Sequence, residues 1–275
     1  MKTIINQMIT VIITALIFSV TITNAQVRGN GNVVSEDRNV SSFTSIEVNN
    51  SADIYITEGN SNTIIVKTDE NILPIITTKV SDGVLKVSNS KSFRSAEVLE
   101  VYVSMKNIDK LSSSGSGDIY CEGVSGTDVY VRLNGSGDFK ADFSVKNLEL
   151  KLNGSGDAEV RGVRGALQIY ISGSGDVEAE DLQLESCTMK MMGSGDIKLR
   201  GSTAKLTVRQ SGSGDVNAYN LKAVEVTVSN SGSGDMVVHA IENLDVSLNG
   251  SGDVTYTGSP RVNIESHGSG EVYKK

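Results

Sequence analysis

The stretch LNGSGD occurs three times, at residues 133–138, 152–157 and 248–253. Its last four letters recur throughout the chain at a nearly constant spacing of 18–20 residues. The GSGD copies begin at Gly115, Gly135, Gly154, Gly173, Gly193, Gly212, Gly232 and Gly250, and a ninth copy reads GSGE from Gly268. A period this short and regular predicts a repeat protein in which each unit buries its apolar face against its neighbours.

Apolar residues alternate with polar ones on both sides of the motif. Six, four and two residues before it stand triplets such as Val129, Val131 and Leu133, and one and three residues after its aspartate stand pairs such as Phe139 and Ala141. A period of two predicts strands with one buried face, so each repeat carries two strands with the motif at the corner between them. Further apolar residues are expected at a second bend, namely Val163, Leu182, Leu221 and Ile241.

Like residues recur once per repeat, which favours parallel coils stacked copy upon copy. A propeller blade would need about 40 residues and four strands. The predicted fold is therefore all-β, a single-domain parallel β-helix. The hexapeptide pattern of left-handed coils is missing, so we expect a right-handed coil.

The motif is typical of a sharp corner that is made at the same place in every coil. Glycine tolerates positive φ and lets backbones stack closely, and the serine between the glycines is small enough to turn inward. The aspartate can accept backbone N–H bonds, as in an Asx turn. One residue before the motif, Asn134, Asn153 and Asn249 are expected to stack in an amide ladder.

Stacking brings the last residue of each motif copy into one column of carboxylates. Neighbours about 4.8 Å apart would repel each other by about 1 kcal/mol in water. We interpret the column as a structural corner ladder in which backbone N–H groups offset this repulsion, and we assign no catalytic residue, metal ligand or cofactor contact. The column comprises Asp118, Asp138, Asp157, Asp176, Asp196, Asp215, Asp235, Asp253 and Glu271.

A second hypothesis for the same column is cation binding. Ca²⁺ prefers several oxygen ligands, and aspartate-rich repeats bind it in β-rolls. One carboxylate per coil makes a poor cage, however, and the nonapeptide spacing of those repeats is absent.

Some β-helices cleave polysaccharides, so catalytic groups have to be sought. Such chemistry needs paired carboxylates, or an acid beside a Lys, Arg or His, converging in a groove. The two histidines, His239 and His267, fall in columns of mixed or polar residues, and no nucleophile elbow, zinc motif or phosphate loop is present. We predict a protein that is not an enzyme, with a polysaccharide-processing enzyme as the alternative.

The N-terminus predicts export. Lys2 precedes an apolar run from Met8 to Ile22, and Ala25 offers a cleavage site. This pattern predicts a signal peptide over residues 1–25 and no membrane span after its cleavage. The β-helix domain is then expected over residues 26–275.

The charge balance and the two cysteines bear on which partners the protein can bind and on whether it forms a disulfide. With 33 acidic and 25 basic residues the net charge is −8, and no Lys/Arg cluster is evident. This balance disfavours nucleic acid and anionic membranes as partners. Cys121 and Cys187 lie in different columns of units three to four apart, too far for a disulfide, so both are expected to pack as small apolar residues.

Residues 26–110 lack the regular motif. SFTSIEVNNSADIYITEG (42–59) predicts strands around NNSAD, a degenerate corner, and KTDENILPIITTKVSDGVLKV (67–87) adds a turn or short helix and strands around a DG turn. We interpret this part as irregular first coils with an insertion that covers the N-terminal end of the stack, where a bare strand edge would invite aggregation. Regular GSGD coils are expected over residues 111–275.

At the other end, no irregular segment covers the coil that follows GSGE. Lys274 and Lys275 supply charge that discourages unlimited edge pairing. We therefore expect a monomer with a weak tendency to dimerise through this coil.

The segments SFTSIEV, ADIYITEG and KTDENILPIITTKVSDGVLKV, together with the ladder of GSGD corners, resemble the auto-transporter adhesin head GIN domain family over roughly residues 38–273. The resemblance implies an exported β-helical protein, similar in shape to pectin-lyase-like folds but without their catalytic residues. It would reside in the periplasm, on the cell surface or outside the cell. A role in cell adhesion follows from the resemblance, with a surface glycan or protein as the partner.

Overall fold

The computed structural model of the protein describes residues 26–275, and the predicted signal peptide lies outside this part. Strands make up most of it, and a 3-10 helix spans Leu73–Ile75. The N-terminal strands are β1 (Val27–Arg28), β2 (Val33–Arg38), β3 (Ser45–Val48), β4 (Asp53–Glu58), β5 (Thr63–Asp69), β6 (Ile76–Ser81), β7 (Val84–Asn89), β8 (Phe93–Ser95), β9 (Leu99–Met105) and β10 (Lys110–Ser113).

The GSGD region continues the series with longer strands. These are β11 (Ile119–Leu133), β12 (Phe139–Leu152), β13 (Ala158–Val163), β14 (Ala166–Ile171), β15 (Val177–Met191), β16 (Ile197–Gln210), β17 (Val216–Asn230), β18 (Met236–Leu248), β19 (Val254–Gly258), β20 (Arg261–Ser266) and β21 (Val272–Lys274).

The GSGD strands stack as parallel coils in register. Val131 pairs with Leu150 of the next coil, and Leu150 pairs with Ile169 of the coil after that. The predicted all-β parallel β-helix is confirmed as a solenoid of about nine coils. Most coils run as one strand from one motif to the next, so the two predicted strands of a repeat are joined, and register shifts mark the bend between them.

The alternating apolar columns form a continuous buried interior. At the second bend Leu182 is buried as expected, whereas Ile241 is 45% exposed because Ala240 takes the inward position. Val262 and Ile264 of β20 stand six and four residues before the last motif, where the alternation predicts inward residues, but they are 38% and 48% exposed. Their coil pairs with β18 on one side, and no described strand covers the other side. The weak dimer through this coil stays a prediction.

Two coils bury an amide where most of the others bury an apolar side chain. Gln210 and Asn230, each two residues before its motif, are buried, and sequence reasoning missed both. Asn230 donates to the carbonyl of Gly234 at 3.0 Å and accepts the N–H of Gly232 at 2.9 Å. Gln210 donates to the carbonyl of Gly214. These amides tie the interior to the corner, which a leucine could not do.

Glycine serves two different purposes in the coil. A Cβ on Gly135 would stand 1.6 Å from the carbonyl oxygen of Gly115 in the neighbouring coil, so the motif needs glycine for close stacking. No motif glycine has positive φ, and that part of the prediction is wrong. Positive φ occurs instead five residues after the motif aspartate, at Gly123, Gly162, Asp181, Gly201 and Gly258.

The motif serine does not turn inward as predicted. It is exposed in every copy, whereas the second glycine lies on the inner side and is buried in most copies. The close stacking of the glycine backbones leaves no room beneath the corner for a hydroxymethyl group, so the serine side chain faces solvent.

The chain does not enter the stack at its end. Strands β3 and β4 form a coil whose corner is the predicted NNSAD. Strands β7 and β9 pair with this coil on one side, and β10 and β11 pair with it on the other. The second coil in sequence is therefore the outermost in space, and the first lies between the second and the third.

Antiparallel strands cover the outer edge of that outermost coil. Strand β6 pairs with β7, β5 pairs with β9, and β2 extends the sheet beyond β5. We call β2, β5 and β6, with the loops 29–32 and 96–98, the N-terminal cap. The cap gives the exposed edge hydrogen-bond partners, in agreement with the predicted cover of this end.

A single buried carboxylate joins the two loops of the cap. Asp69 is fully buried and accepts the N–H of Gly31 at 2.6 Å and the N–H of Glu97 at 2.7 Å. Burial alone would raise the pKa of Asp69, but the backbone N–H donors outweigh it and hold this pKa below its ordinary value.

Cys121 and Cys187 are both free and buried. Burial raises the pKa of each thiol to about 12. Both thiols therefore stay protonated at neutral pH, where only the thiolate would act as a nucleophile.

Candidate functional site: the corner and the outward faces

The predicted corner carboxylates lie in one column, and each aspartate is hydrogen-bonded to the next coil. Oδ1 of Asp118 accepts the backbone N–H of Asp138 at 2.9 Å, and the pattern continues to the N–H of Glu271 with distances of 2.7–2.9 Å. The column begins one coil earlier, because Asp118 donates its own N–H to Asp53 of NNSAD at 2.9 Å. We call Asp53 and the nine predicted carboxylates the acidic column.

A second hydrogen bond runs in the opposite direction at each corner. The N–H of Ile119 donates to the carbonyl of Asp138, and the N–H of Phe139 donates to the carbonyl of Asp157, both at 2.8 Å. The sequence predicted an Asx turn, in which the aspartate would accept the N–H of a residue two positions later in its own coil. Each aspartate instead accepts an N–H of the neighbouring coil. Each corner is fixed to the next by two opposed bonds.

Glu271 ends the column with a longer side chain. No described coil lies beyond Glu271 to donate an N–H to its carboxylate. The contact with the next coil that requires the shorter aspartate elsewhere is therefore not made at this position. The hydroxyl of Tyr273 donates to Glu271 at 2.7 Å instead. This hydrogen bond raises the pKa of Tyr273 to about 12.

The acidic column does not form a cage for a cation. One oxygen of each aspartate is occupied by a backbone N–H, and Ca²⁺ requires about six to eight oxygen ligands. Between residues 26 and 275, no three His, Cys, Asp or Glu side chains converge as metal ligands. The geometry lends the Ca²⁺ hypothesis no support.

The asparagines before the motif form a shorter ladder than expected. Asn153 donates to Oδ1 of Asn134 at 2.8 Å, and Ser172 donates to Oδ1 of Asn153 at 2.7 Å. Asn249 lies outside this ladder and contacts Ser247 of its own strand at 3.4 Å. The difference arises because the intervening coils carry Met192, Ser211 and Ser231 at this position.

The outward residues two and four positions after each motif aspartate form what we call the post-corner face. Opposite charges meet across neighbouring coils of this face and neutralise one another. The ion pairs are Lys140 with Glu159 at 2.9 Å, Arg161 with Glu180 at 3.1 Å, Lys198 with Glu178 at 2.5 Å and Arg200 with Glu180 at 2.9 Å. The hydrogen bond from Lys198 lowers the pKa of Glu178.

A shallow depression of about 430 Å³ lies on the post-corner face, lined in part by Tyr120, Lys140, Glu159 and Arg161. Lys140, Glu159 and Arg161 are members of the ion pairs just described, whereas Glu122 and Asp142, which also line the depression, form no ion pair within residues 26–275. His239 is partly exposed in the same face, beside Thr257 of the next coil, and His267 is exposed before the last motif. The structure therefore does not bring either histidine into this depression.

Three tyrosines stack at the N-terminal end of the post-corner face. The rings of Tyr102, Tyr55 and Tyr120 follow one another with centroids 5.0 and 5.1 Å apart. Tyr102 donates to Glu100, which raises the pKa of Tyr102 to about 12. Sequence reasoning missed this stack, although the triplet DIY at 53–55 and again at 118–120 was its signal.

The outward residues one, three and five positions before each motif form the pre-corner face. Three positions before the motif, five consecutive coils carry Arg132, Lys151, Tyr170, Lys190 and Arg209, which pair in register. We call the four cations the basic column. The sequence interpretation that no Lys/Arg cluster exists was wrong, because these residues lie 19 to 39 positions apart and become neighbours only in the stack.

These features define a capped parallel β-solenoid whose polar groups lie on two outward faces. The family described as "Putative auto-transporter adhesin, head GIN domain" matches residues 42–198 and 185–260, and the chain belongs to this family. The resemblance seen in the sequence is thereby confirmed. Within residues 26–275 no helix is long and apolar enough to cross a membrane.

Solved structures share the fold. A protein from Parabacteroides distasonis, named "Putative lipid binding protein", is 25% identical with a TM-score of 0.64, over 91% of this chain and 99% of that one. A second from the same species, named "putative adhesin", is 22% identical with a TM-score of 0.63, over 91% and 100%. A "putative adhesin" from Parabacteroides merdae is 18% identical with a TM-score of 0.61, over 91% and 99%. No curated protein matches the chain.

Proposed function

We propose that this chain is an exported, non-enzymatic adhesion protein that binds a surface glycan or protein through the outward faces of its solenoid. The observation that carries the proposal is the state of its carboxylates. The aspartates of the acidic column accept backbone N–H bonds, and Glu159, Glu178 and Glu180 of the post-corner face pair with lysine or arginine. These acids are thus engaged in holding the solenoid and its surface.

The pKa of Glu178, one of the paired acids, also argues against hydrolysis. A general acid at neutral pH needs a raised pKa, as burial or a like charge would produce. Glu178 has the opposite shift, because Lys198 stabilises its ionised form. Glu122 and Asp142 of the same face form no ion pair within residues 26–275, but they lie side by side on neighbouring strands, whereas the two carboxyls of a polysaccharide hydrolase flank the bond that is cleaved.

Family membership and the leader-like residues 1–25 support export and a surface role. One P. distasonis neighbour is named "Putative lipid binding protein", which raises lipid binding as another activity to consider. In this chain the interior is filled by side chains along the described coils. A lipid could therefore contact only the outer surface.

A glycan and protein array tests the proposal, with the purified chain applied in the presence of Ca²⁺ or of EDTA. We expect reproducible binding to a surface glycan or protein and no difference between the two conditions. In parallel, neutral and acidic polysaccharides incubated with the protein should show no new reducing ends. Turnover that co-purifies with the chain, or binding that EDTA abolishes, would contradict the proposal in favour of the enzyme or the cation-dependent alternative.

A further inference from the structure

The basic column places like charges next to each other without alternation. Arg132 is in direct register with Lys151, and Lys190 is in direct register with Arg209. Parallel strands lie about 4.8 Å apart, and like charges directly opposite one another on a sheet face are destabilising. Only Tyr170 separates the two pairs, and Nζ of Lys151 lies 5.2 Å from the centre of its ring.

Three of these four cations are not neutralised by a nearby acid. Lys151 pairs with Glu149 of its own strand, whereas Arg132, Lys190 and Arg209 form no ion pair within residues 26–275. The chain carries 33 acidic residues and a net charge of −8, so counter-charges are abundant elsewhere. On the post-corner face of the same coils Lys140, Arg161, Lys198 and Arg200 all pair with acids, whereas on the pre-corner face only Lys151 of the basic column does.

The residues beside the basic column suit a ligand rich in hydroxyl groups. Thr188 and Thr207 flank it on one side, and the exposed Asn153, Ser172 and Ser211 flank it on the other. Such side chains donate and accept hydrogen bonds without adding charge. Apart from Glu149, which pairs with Lys151, and the exposed Met192, the face therefore offers a narrow line of cations bordered by neutral polar groups.

From this geometry we propose that the basic column binds a linear acidic polysaccharide that lies along the solenoid axis, with a carboxylate on each sugar. The inference rests on the proposed adhesion function and names its ligand class. A line one side chain wide, with cations repeating at about the 4.8 Å strand spacing, matches a single chain of regularly spaced anions. A membrane surface would favour a broad basic patch, and single-stranded nucleic acid, which stacks its bases on aromatic rings, is included below as a competing ligand.

Titration calorimetry of the full chain with a uronic acid oligosaccharide tests the proposal. The control ligand is the same oligosaccharide with its carboxylates reduced to alcohols. We expect binding of the acidic form that weakens with salt, as ionic contacts require, and at least about tenfold weaker binding of the reduced form.

A matched pair of double variants locates the site. Arg132→Gln with Lys190→Gln removes two cations of the basic column, and Lys140→Gln with Lys198→Gln removes two paired cations of the post-corner face. Both change the net charge by the same amount. The first should weaken binding at least about tenfold and reduce its salt dependence, and the second should leave affinity within about twofold. Circular dichroism melting confirms that both variants fold.

Several outcomes would overturn the inference. Equal loss in both double variants would mean a response to net charge alone. Equally tight binding to vesicles containing phosphatidylserine, or to single-stranded DNA, would assign the column to those partners. No binding of the acidic oligosaccharide, together with a different hit on the array, would overturn the ligand class and leave the adhesion function standing. Failure of the array itself would overturn the adhesion function.

Discussion

The N-terminal cap and the GSGD coils both use aspartate to satisfy backbone N–H groups, but they do so in opposite ways. In the coils each exposed aspartate accepts one N–H, and the bond recurs from Asp53 to Glu271. In the cap, the buried Asp69 alone receives the N–H groups of two loops. The coils are held by the same aspartate contact repeated many times, whereas the two loops of the cap are held together by the single carboxylate of Asp69.

The buried columns of the coils should show the largest effect. Leu150→Asp would place a charge without a partner in the fully buried interior, and we expect a loss of about 4 kcal/mol or more in the free energy of unfolding. Lys151→Asp, its outward neighbour, should cost far less. Urea denaturation of both variants measures the difference, and equal midpoints would contradict the assigned strand phase.

The next largest effect compares the two kinds of aspartate directly. Asp69→Ala leaves two partly buried N–H groups without their acceptor and should cost about 3 kcal/mol, whereas Asp157→Ala frees one exposed N–H and should cost about 1 kcal/mol. Denaturant unfolding of the two variants provides the test. Losses of equal size would show that the cap does not depend on its single carboxylate.

Glycines needed for close stacking and glycines needed for positive φ should differ in how much their substitution by alanine destabilises the protein in the same assay. A Cβ on Gly154 would stand 1.7 Å from the carbonyl oxygen of Gly135, so Gly154→Ala must push two coils apart and should cost about 3 kcal/mol. Gly123 has positive φ but open space around it, with no atom nearer than 3.5 Å. Gly123→Ala should cost about 1 kcal/mol through backbone strain. The reverse order of stability would contradict the stacking explanation.

Acid should weaken the cap through Asp69. Its pKa is lower in the folded state than the unfolded value of about 3.9, because backbone N–H groups stabilise the ionised form. The resulting stability is present above the unfolded pKa and is lost as the pH falls through the folded pKa. Unfolding curves of the native chain and of Asp69→Asn between pH 7 and pH 2 should converge at the acidic end. Parallel curves would exclude Asp69 as the cause.

The smallest effect concerns the two outward faces. Lys190→Gln relieves repulsion in the basic column and should raise stability, while Lys198→Gln breaks an ion pair with Glu178 and should lower it. Each change should be about 0.5 kcal/mol or less, and both should shrink at high salt. Shifts of the same sign in low salt would mean that the two faces are electrostatically alike.

Individual positions show how much of the fold and of the residue orientations the sequence predicts. The alternation around Leu150 correctly predicts an inward residue, and the spacing of GSGD correctly predicts parallel coils. The same reasoning misplaced the motif serine and the positive φ, because Gly123 and its equivalents form a second, weaker column that the dominant motif obscured. It also missed Asn230, whose amide looks like a surface residue until the corner carbonyls beneath it are known.

The sequence by itself determined the period, the strand phase and the carboxylate at each corner. Every unit of a repeat protein has the same local geometry, so a correct assignment of strands and corner in one unit applies to the others. Only the tertiary structure decided the features that depend on contacts between coils. These are the backbone N–H that each aspartate accepts, the order of the first three coils, the tyrosine stack and the basic column. Those neighbours are about 20 or more residues apart, and only the register of the stacked backbones brings them together.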